Sequence, residues 1–237
     1  MKILILLFAV VTINNYLFSQ SVVIHKNGGS KDTVAVADVD SITFLPFICG
    51  LSKVKYVDQI YRTVPIGSQC WLKENLNVGT MQDPSDNGII DKYCYNNDPA
   101  NCAIYGGLYL WDEAMQYVTA TGARGICPVG WHMPTLAECQ TLTSTVSNDG
   151  NSLKEIGQGT NIGAGTNTSG FSALLAGAKG YSGGPYQGMG TWVSFWIGQT
   201  GTLPYVWSMQ LVSNDNSVNL IDGGMVSWAL TVRCIKD

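Results

Sequence analysis

Charge is what this sequence has least of. Asp, Glu, Lys and Arg make up only 13% of its 237 residues, about half the share of roughly 25% usual in soluble domains. With 13 basic against 17 acidic residues the formal charge is -4. No basic excess is available to neutralise phosphates, which removes nucleic acid and anionic membranes from the expected partners. Histidine is scarcer still, at two residues, and the seven cysteines contain no C-x-x-C pair, so the ligand spacings of structural zinc are missing. The G-x-S-x-G, H-E-x-x-H, Walker and Rossmann fingerprints are absent as well. After the apolar run at the start no second long apolar run follows.

What is present is material for a core. Hydrophobic residues reach 46%, with seven Trp and eleven Tyr, which excludes a disordered chain. The length suits one full-sized domain with an appendage, or two small domains. Residues 1–20 read as a secretory signal peptide: Lys2 is a short positive start, Ile3 to Ile13 an apolar run too short to span a membrane, and Ser19 and Gln20 flank a plausible cut. The mature protein is expected to be secreted, or held at the cell surface or in the periplasm, with no membrane span, in an oxidising compartment. There Cys49, Cys70, Cys94, Cys102, Cys127, Cys139 and Cys234 are read as disulfide formers, and the odd count leaves one thiol over.

Residues 21–45 carry a β-hairpin signal: an apolar run, a turn at Asn27-Gly28-Gly29 and a β-rich run from Thr33 to Val36. His25 lies in the first strand as a surface residue. Pro46 and Cys49 mark a boundary, and residues 49–237 are expected to form one domain. Alternation from Tyr56 to Ile66 predicts a hairpin leading to a third short strand around Cys70 to Leu72. The stretch from Met81 to Gly107 reads as a long polar loop. Leu110, Ala114, Met115 and Val118 have helical spacing, with Asp112 early in the helix and Gly122 as its stop.

The densest segment is "GICPVGWHMPTLAEC", Gly125 to Cys139. Thr135 and Glu138 form a T-x-x-E capping box, and Pro134 favours a helix start just after it. Leu136, Cys139, Leu142 and Val146 then share one face, which makes Cys139 a core thiol. His132 is expected to orient the turn before this helix rather than to act as a base.

"YRTVPIGSQCWLKENL", "YCYNNDPANCAIYGGLYLWDEAM", "GICPVGWHMPTLAECQTL", "GTNTSGFSALLAG" and "LTVRCIKD" follow one another as the blocks of a known family do. The region resembles the Fibrobacter succinogenes major paralogous domain, found in exported bacterial proteins of the Bacteroidetes and Fibrobacter groups, and the stretch "VVIHKNGGSKDTVAVADVDSITF" resembles a segment often found just after the signal peptide in such proteins. The resemblance implies an α+β, C-type-lectin-like fold with two main helices packed on short antiparallel sheets and long loops, preceded by the N-terminal hairpin. It also implies disulfides Cys49–Cys70, Cys94–Cys102 and Cys127–Cys234, with Cys139 free; a rival pairing of Cys127 with Cys139 would free Cys234. The family is distantly similar to formylglycine-generating enzymes, whose copper-binding cysteine pair is not recognisable here, so catalytic residues are not expected.

No cofactor is expected, and calcium is the one metal with a pattern behind it. Asp83, Ser85, Asn87 and Asp91 occupy roughly positions 1, 3, 5 and 9 of an EF-hand-like loop, but Cys94 stands where the bidentate Glu belongs. The remaining candidate is a ligand surface on loops rich in Gly, Ser, Thr and Asn between Gly157 and Tyr205, with Tyr181, Tyr186 and Trp192 as its exposed aromatics. The expected function is a non-catalytic recognition module for glycans or extracellular proteins. The alternatives are a structural or adhesion component without a small ligand, and an oxidoreductase of the formylglycine-generating type.

Overall fold

The computed structural model describes residues 21–25, 31–36, 46–82, 84–180, 184–202 and 205–237. The expected signal peptide and the Asn27-Gly28-Gly29 turn lie outside them. The chain divides between Pro46 and Phe47. Before that division, strands β1 (Ser21–His25) and β2 (Lys31–Ala35) pair antiparallel, Val23 facing Thr33.

The second unit is α+β. It opens with two hairpins, β3 (Val54–Tyr56) with β4 (Gln59–Tyr61) and β5 (Thr63–Ile66) with β6 (Gln69–Leu72). The alternation from Tyr56 to Ile66 is therefore split between them rather than forming one hairpin. Each has a two-residue loop, and Val57 (φ 52°) and Gly67 (φ 59°) adopt the left-handed backbone that such loops need. Arg62 sits at the division, pinned by its amide to the Glu74 carboxylate at 2.7 Å.

The stretch read as a long loop contains structure. β7 (Thr80–Met81) pairs with β8 (Asp91–Lys92), and helix α1 spans Pro99–Tyr105. Asp98 accepts a hydrogen bond from the Ala100 amide at 2.9 Å, and Pro99 occupies the first turn, where its missing N–H costs nothing. After β9 (Tyr109–Leu110), helix α2 covers only Trp111–Met115, not the longer helix to Gly122 that the spacing predicts. Gln116 and Tyr117 turn left-handed (φ 51° and 59°). The Ala114 carbonyl is taken by the Ile126 amide at 2.9 Å, so the helix loses its next rung to a neighbouring segment. Val118 is left exposed.

β10 (Trp131–His132) leads into α3 (Leu136–Thr145) and α4 (Gly150–Leu153). The α3 capping box is complete: the Glu138 amide donates to the Thr135 hydroxyl at 3.2 Å, and the Thr135 amide donates to the Glu138 carboxylate at 2.8 Å. Among the described residues, α-helix is thus spread over four short segments instead of two main helices. The remaining strands are β11 (Ala176–Lys179), β12 (Tyr186–Met189), β13 (Trp192–Thr200), β14 (Tyr205–Val212), β15 (Asn219–Met225), β16 (Ala229–Leu230) and β17 (Ile235–Lys236).

Two sheets organise them. One has the order β10-β17-β6-β5; the larger runs β15-β14-β13-β11-β16-β9, with β12 also on β11. β13 is covered on both faces, which is why "WVSFWI" is nearly continuous in hydrophobicity. Val193, Phe195 and Ile197 join Cys139, Leu142 and Leu153 in one core, while Trp196 joins Tyr109, Trp111 and Met115 in another. On β14, Met209 and Leu211 belong to the first core, and alternation turns Ser208 and Gln210 to the opposite face. On that face Ser208 is buried and Gln210 half-buried.

The described cysteines form Cys49–Cys70, Cys94–Cys102 and Cys127–Cys234. Cys139 is free and 1% exposed, and burial pushes its thiol pKa up. A thiol held neutral and out of contact with solvent is a poor nucleophile. Alkylation of the native protein is expected to leave Cys139 unmodified, and alkylation after denaturation to modify it alone; peptide mass mapping reads both.

Candidate functional site

The face of the larger sheet that carries Ser208 and Gln210 holds a cleft of about 290 Å³ lined by Trp192, Ser194, Ser208, Gln210, Ile221, Met225 and Trp228 among others. Its walls are built by turns. Trp192 begins β13 directly after the turn at Gly190-Thr191, where the Thr191 amide donates to the Gly188 carbonyl at 2.9 Å. Gly188 gives the Trp192 ring its space: a Cβ there would come within 2.2 Å of the indole nitrogen. Trp228 stands at the end of the turn after β15, its amide donating to the Met225 carbonyl at 2.9 Å. The two indoles lie 6.4 Å apart between centroids and are tilted by 38°. Both are half-buried, so each rests on the core and shows a part to solvent.

The floor carries the polar side chains. Ser194 and Gln210 are cross-strand partners on β13 and β14, and the Gln210 side-chain amide donates to the Ser194 hydroxyl at 3.2 Å. Ser208 faces Trp196 across the same pair of strands. Not one of the residues lining the cleft is charged. Aromatic walls over hydroxyl and amide groups can take an uncharged ligand with both apolar and hydrogen-bonding faces.

The aromatics singled out in the sequence fare differently. Trp192 forms one wall. Tyr181 lies outside the described residues. Tyr186 is not a free loop ring: it is half-buried, its hydroxyl donates to Asn97 Oδ1 at 2.6 Å, and its ring sits 5.3 Å from Tyr95 and 4.7 Å from the Lys179 ammonium. Of the three aromatics only Trp192 lines the cleft on the sheet face, where Trp228, Ser194, Ser208 and Gln210, not singled out in the sequence, lie with it. Alternation along β14 would have pointed to Ser208 and Gln210; nothing local points to Trp228.

The side chains of Ser85, Asn87 and Asp91, three of the calcium candidates, are engaged within their own loop. Asp83 lies outside the described residues. Asp91 is fully buried, accepting from the Gln82 side-chain amide at 2.6 Å and the Ser85 amide at 3.1 Å. Asn87 donates to the Ser85 hydroxyl and accepts from the Ile89 amide. Among the described residues no group of three or more His, Cys, Asp and Glu is placed to hold a metal ion.

A second polar cluster surrounds His132. Its Nε2 lies 2.9 Å from Glu138 Oε1 and its Nδ1 2.7 Å from Asp237 Oδ1. The hydrogen bond with Glu138, followed by that with Asp237, outweighs burial and raises the His132 pKa. Burial works against the Glu138 carboxylate, but hydrogen bonds from His132 and Thr135 prevail and lower its pKa. A raised histidine pKa stabilises the fold fully below the unfolded value of about 6.5, and the contribution is lost as pH rises through the folded value. The Glu138 contribution is present above its unfolded value of about 4.3 and lost as pH falls through the lowered folded one. Urea unfolding is therefore expected to show stability declining on the alkaline side of about pH 6.5, and His132→Gln to flatten that decline.

The sequence blocks now stand in one disulfide-tied unit around these sites, and a family comparison covers them together: the Fibrobacter succinogenes major domain matches residues 64–236. The chain belongs to this family. No curated protein and no solved structure matches it. Within this Fibrobacter succinogenes major domain, the matched region contains both walls and the floor of the cleft, Cys127–Cys234 and the α3 cap, and it begins within β5. Among the described residues no helix is long and apolar enough to cross a membrane.

Proposed function

We propose that this Fibrobacter succinogenes major domain protein is an exported, non-catalytic recognition module with a C-type-lectin-like layout, placed outside the inner membrane, whose ligand is a glycan or an extracellular protein. The observation that carries this reading is the uncharged cleft walled by Trp192 and Trp228. Three disulfides favour an oxidising compartment. The non-catalytic part rests on the reactive groups. Cys139 is buried, and His132 is held between two carboxylates. Neither lines the cleft.

The test is a screen of the mature protein against immobilised glycans and extracellular proteins. Saturable binding to at least one of them is expected, and it should be unchanged by EDTA because the cleft lining contains no carboxylate to anchor calcium. A structural component without a ligand would show no saturable binding to any of them. Loss of binding in EDTA would return the Ser85, Asn87 and Asp91 loop to the centre of the account.

A further inference from the structure

We infer that the cleft takes one soluble strand of a neutral polysaccharide, with two consecutive sugar rings resting one on each of Trp192 and Trp228. This rests on the recognition reading above and narrows it to a ligand class. Three features of the cleft select that class.

The first is charge. With no ionisable side chain in the lining, a uronate or sialylated sugar would lose hydration without gaining a counter-charge, a cost that excludes acidic glycans. The apolar lining suits the C–H faces of neutral sugars instead, with Gln210 as a partner for a hydroxyl group. Gln210 uses one N–H on Ser194, and its amide has a carbonyl and a second N–H to offer. Ser194 and Ser208 line the same cleft but are only 3% exposed, so Gln210 is the polar side chain most open to a ligand. A sugar hydroxyl both donates and accepts, as does the Gln210 amide, so the match needs no fixed ionisation state.

The second is the spacing of the walls. A pyranose ring has a face of C–H groups that packs on an aromatic ring, and linked sugars repeat such faces along a chain. Indoles with centroids 6.4 Å apart are too close to admit a sugar ring between them, so successive rings of one strand rest on them in turn. The volume of about 290 Å³ is at the small end of ligand sites, which run from about 300 to 1,000 Å³. It holds a pair of sugar rings, not a long segment.

The third is the tilt. Binding to the flat face of a crystalline polysaccharide asks for coplanar rings. A 38° rotation between the indoles follows a strand that twists between one residue and the next, so a single hydrated chain is preferred over a packed surface.

The experiment is a titration of the mature protein followed by the indole N–H signals in two-dimensional NMR. Trp192→Phe and Trp228→Phe identify their signals among the seven tryptophans. The probes are cellohexaose, xylohexaose and mannohexaose, with their monosaccharides, plus oligogalacturonate and microcrystalline cellulose. At least one neutral hexasaccharide is expected to move both signals together and saturably, with its monosaccharide at least about tenfold weaker. Gln210→Ala is expected to weaken that binding severalfold with the other indole signals in place. Oligogalacturonate and crystalline cellulose are expected not to bind.

Movement of one indole alone, preference for oligogalacturonate, or preference for the crystalline solid each overturns the inference. So does silence toward all three neutral hexasaccharides. In that case, an extracellular protein that still requires Trp192 and Trp228 for binding would leave the recognition reading standing and remove the sugar. Absence of any ligand for the cleft would remove both.

Discussion

Replacing both Cys127 and Cys234 by alanine is expected to lower the unfolding free energy by about 4 to 5 kcal/mol. The bridge joins residues 107 apart in sequence, and both sulfurs are fully buried. Such a link removes a large share of the conformations open to the unfolded chain, and the effect grows with the enclosed loop. The Cys94–Cys102 bridge spans only eight residues, so its removal is expected to cost less, about 2.5 kcal/mol. Urea unfolding of the two double variants beside the native protein tests the order. Equal losses, or a larger loss for Cys94 and Cys102, would mean that the long bridge does not hold the last strand to the rest of the fold.

Arg233 carries the second large effect. It is 1% exposed, and its guanidinium donates from Nε and Nη2 to Asn75 Oδ1 and from Nη1 to the Phe171 carbonyl. The Phe171 ring lies 4.2 Å and the Phe195 ring 5.2 Å from its central carbon. Burial pulls its pKa down to about 9, which still leaves it charged at neutral pH. Among the described residues it forms no ion pair, so aromatic faces and neutral acceptors hold the charge in place. Arg233→Ala is expected to cost about 3 to 5 kcal/mol, because it strands buried acceptors and empties a large volume. Arg233→Met refills the volume without restoring the bonds and should recover part of the loss. A loss below about 1 kcal/mol for alanine would show the network to be dispensable.

What could be read from the sequence was local. Thr135 and Glu138 are three residues apart, and a capping box needs nothing beyond those two side chains and their own amides, so α3 was legible at its start. Asp98-Pro99 is a signal of the same kind, set inside an apparently polar loop, and it opens α1. The end of α2 had no local sign. It depends on the Ile126 amide reaching Ala114 and on Gly125, where a Cβ would come within 2.2 Å of that same carbonyl.

The site was legible only in part for the same reason. Trp192 and Trp228 are far apart in the chain and meet only because β13, β14 and β15 run side by side, with β16 returning to the same sheet. Tyr186 looked as exposed as Trp192 in a stretch of Gly and Ser, yet its partner Asn97 is 89 residues away. Composition indicates aromatic rings among neutral side chains; only strand pairing decides which of them line a cleft and which are tied down.

The central claim is that the Trp192–Trp228 cleft is where this protein meets its ligand. Its most direct test is calorimetric titration of the strongest ligand found, into the native protein and into the double variant Trp192→Ala, Trp228→Ala. Urea unfolding of both proteins would run in parallel. The account predicts an affinity at least about a hundredfold weaker in the variant, with the cooperative unfolding transition retained. Equal affinity in the two proteins would contradict it and place the ligand elsewhere on the molecule.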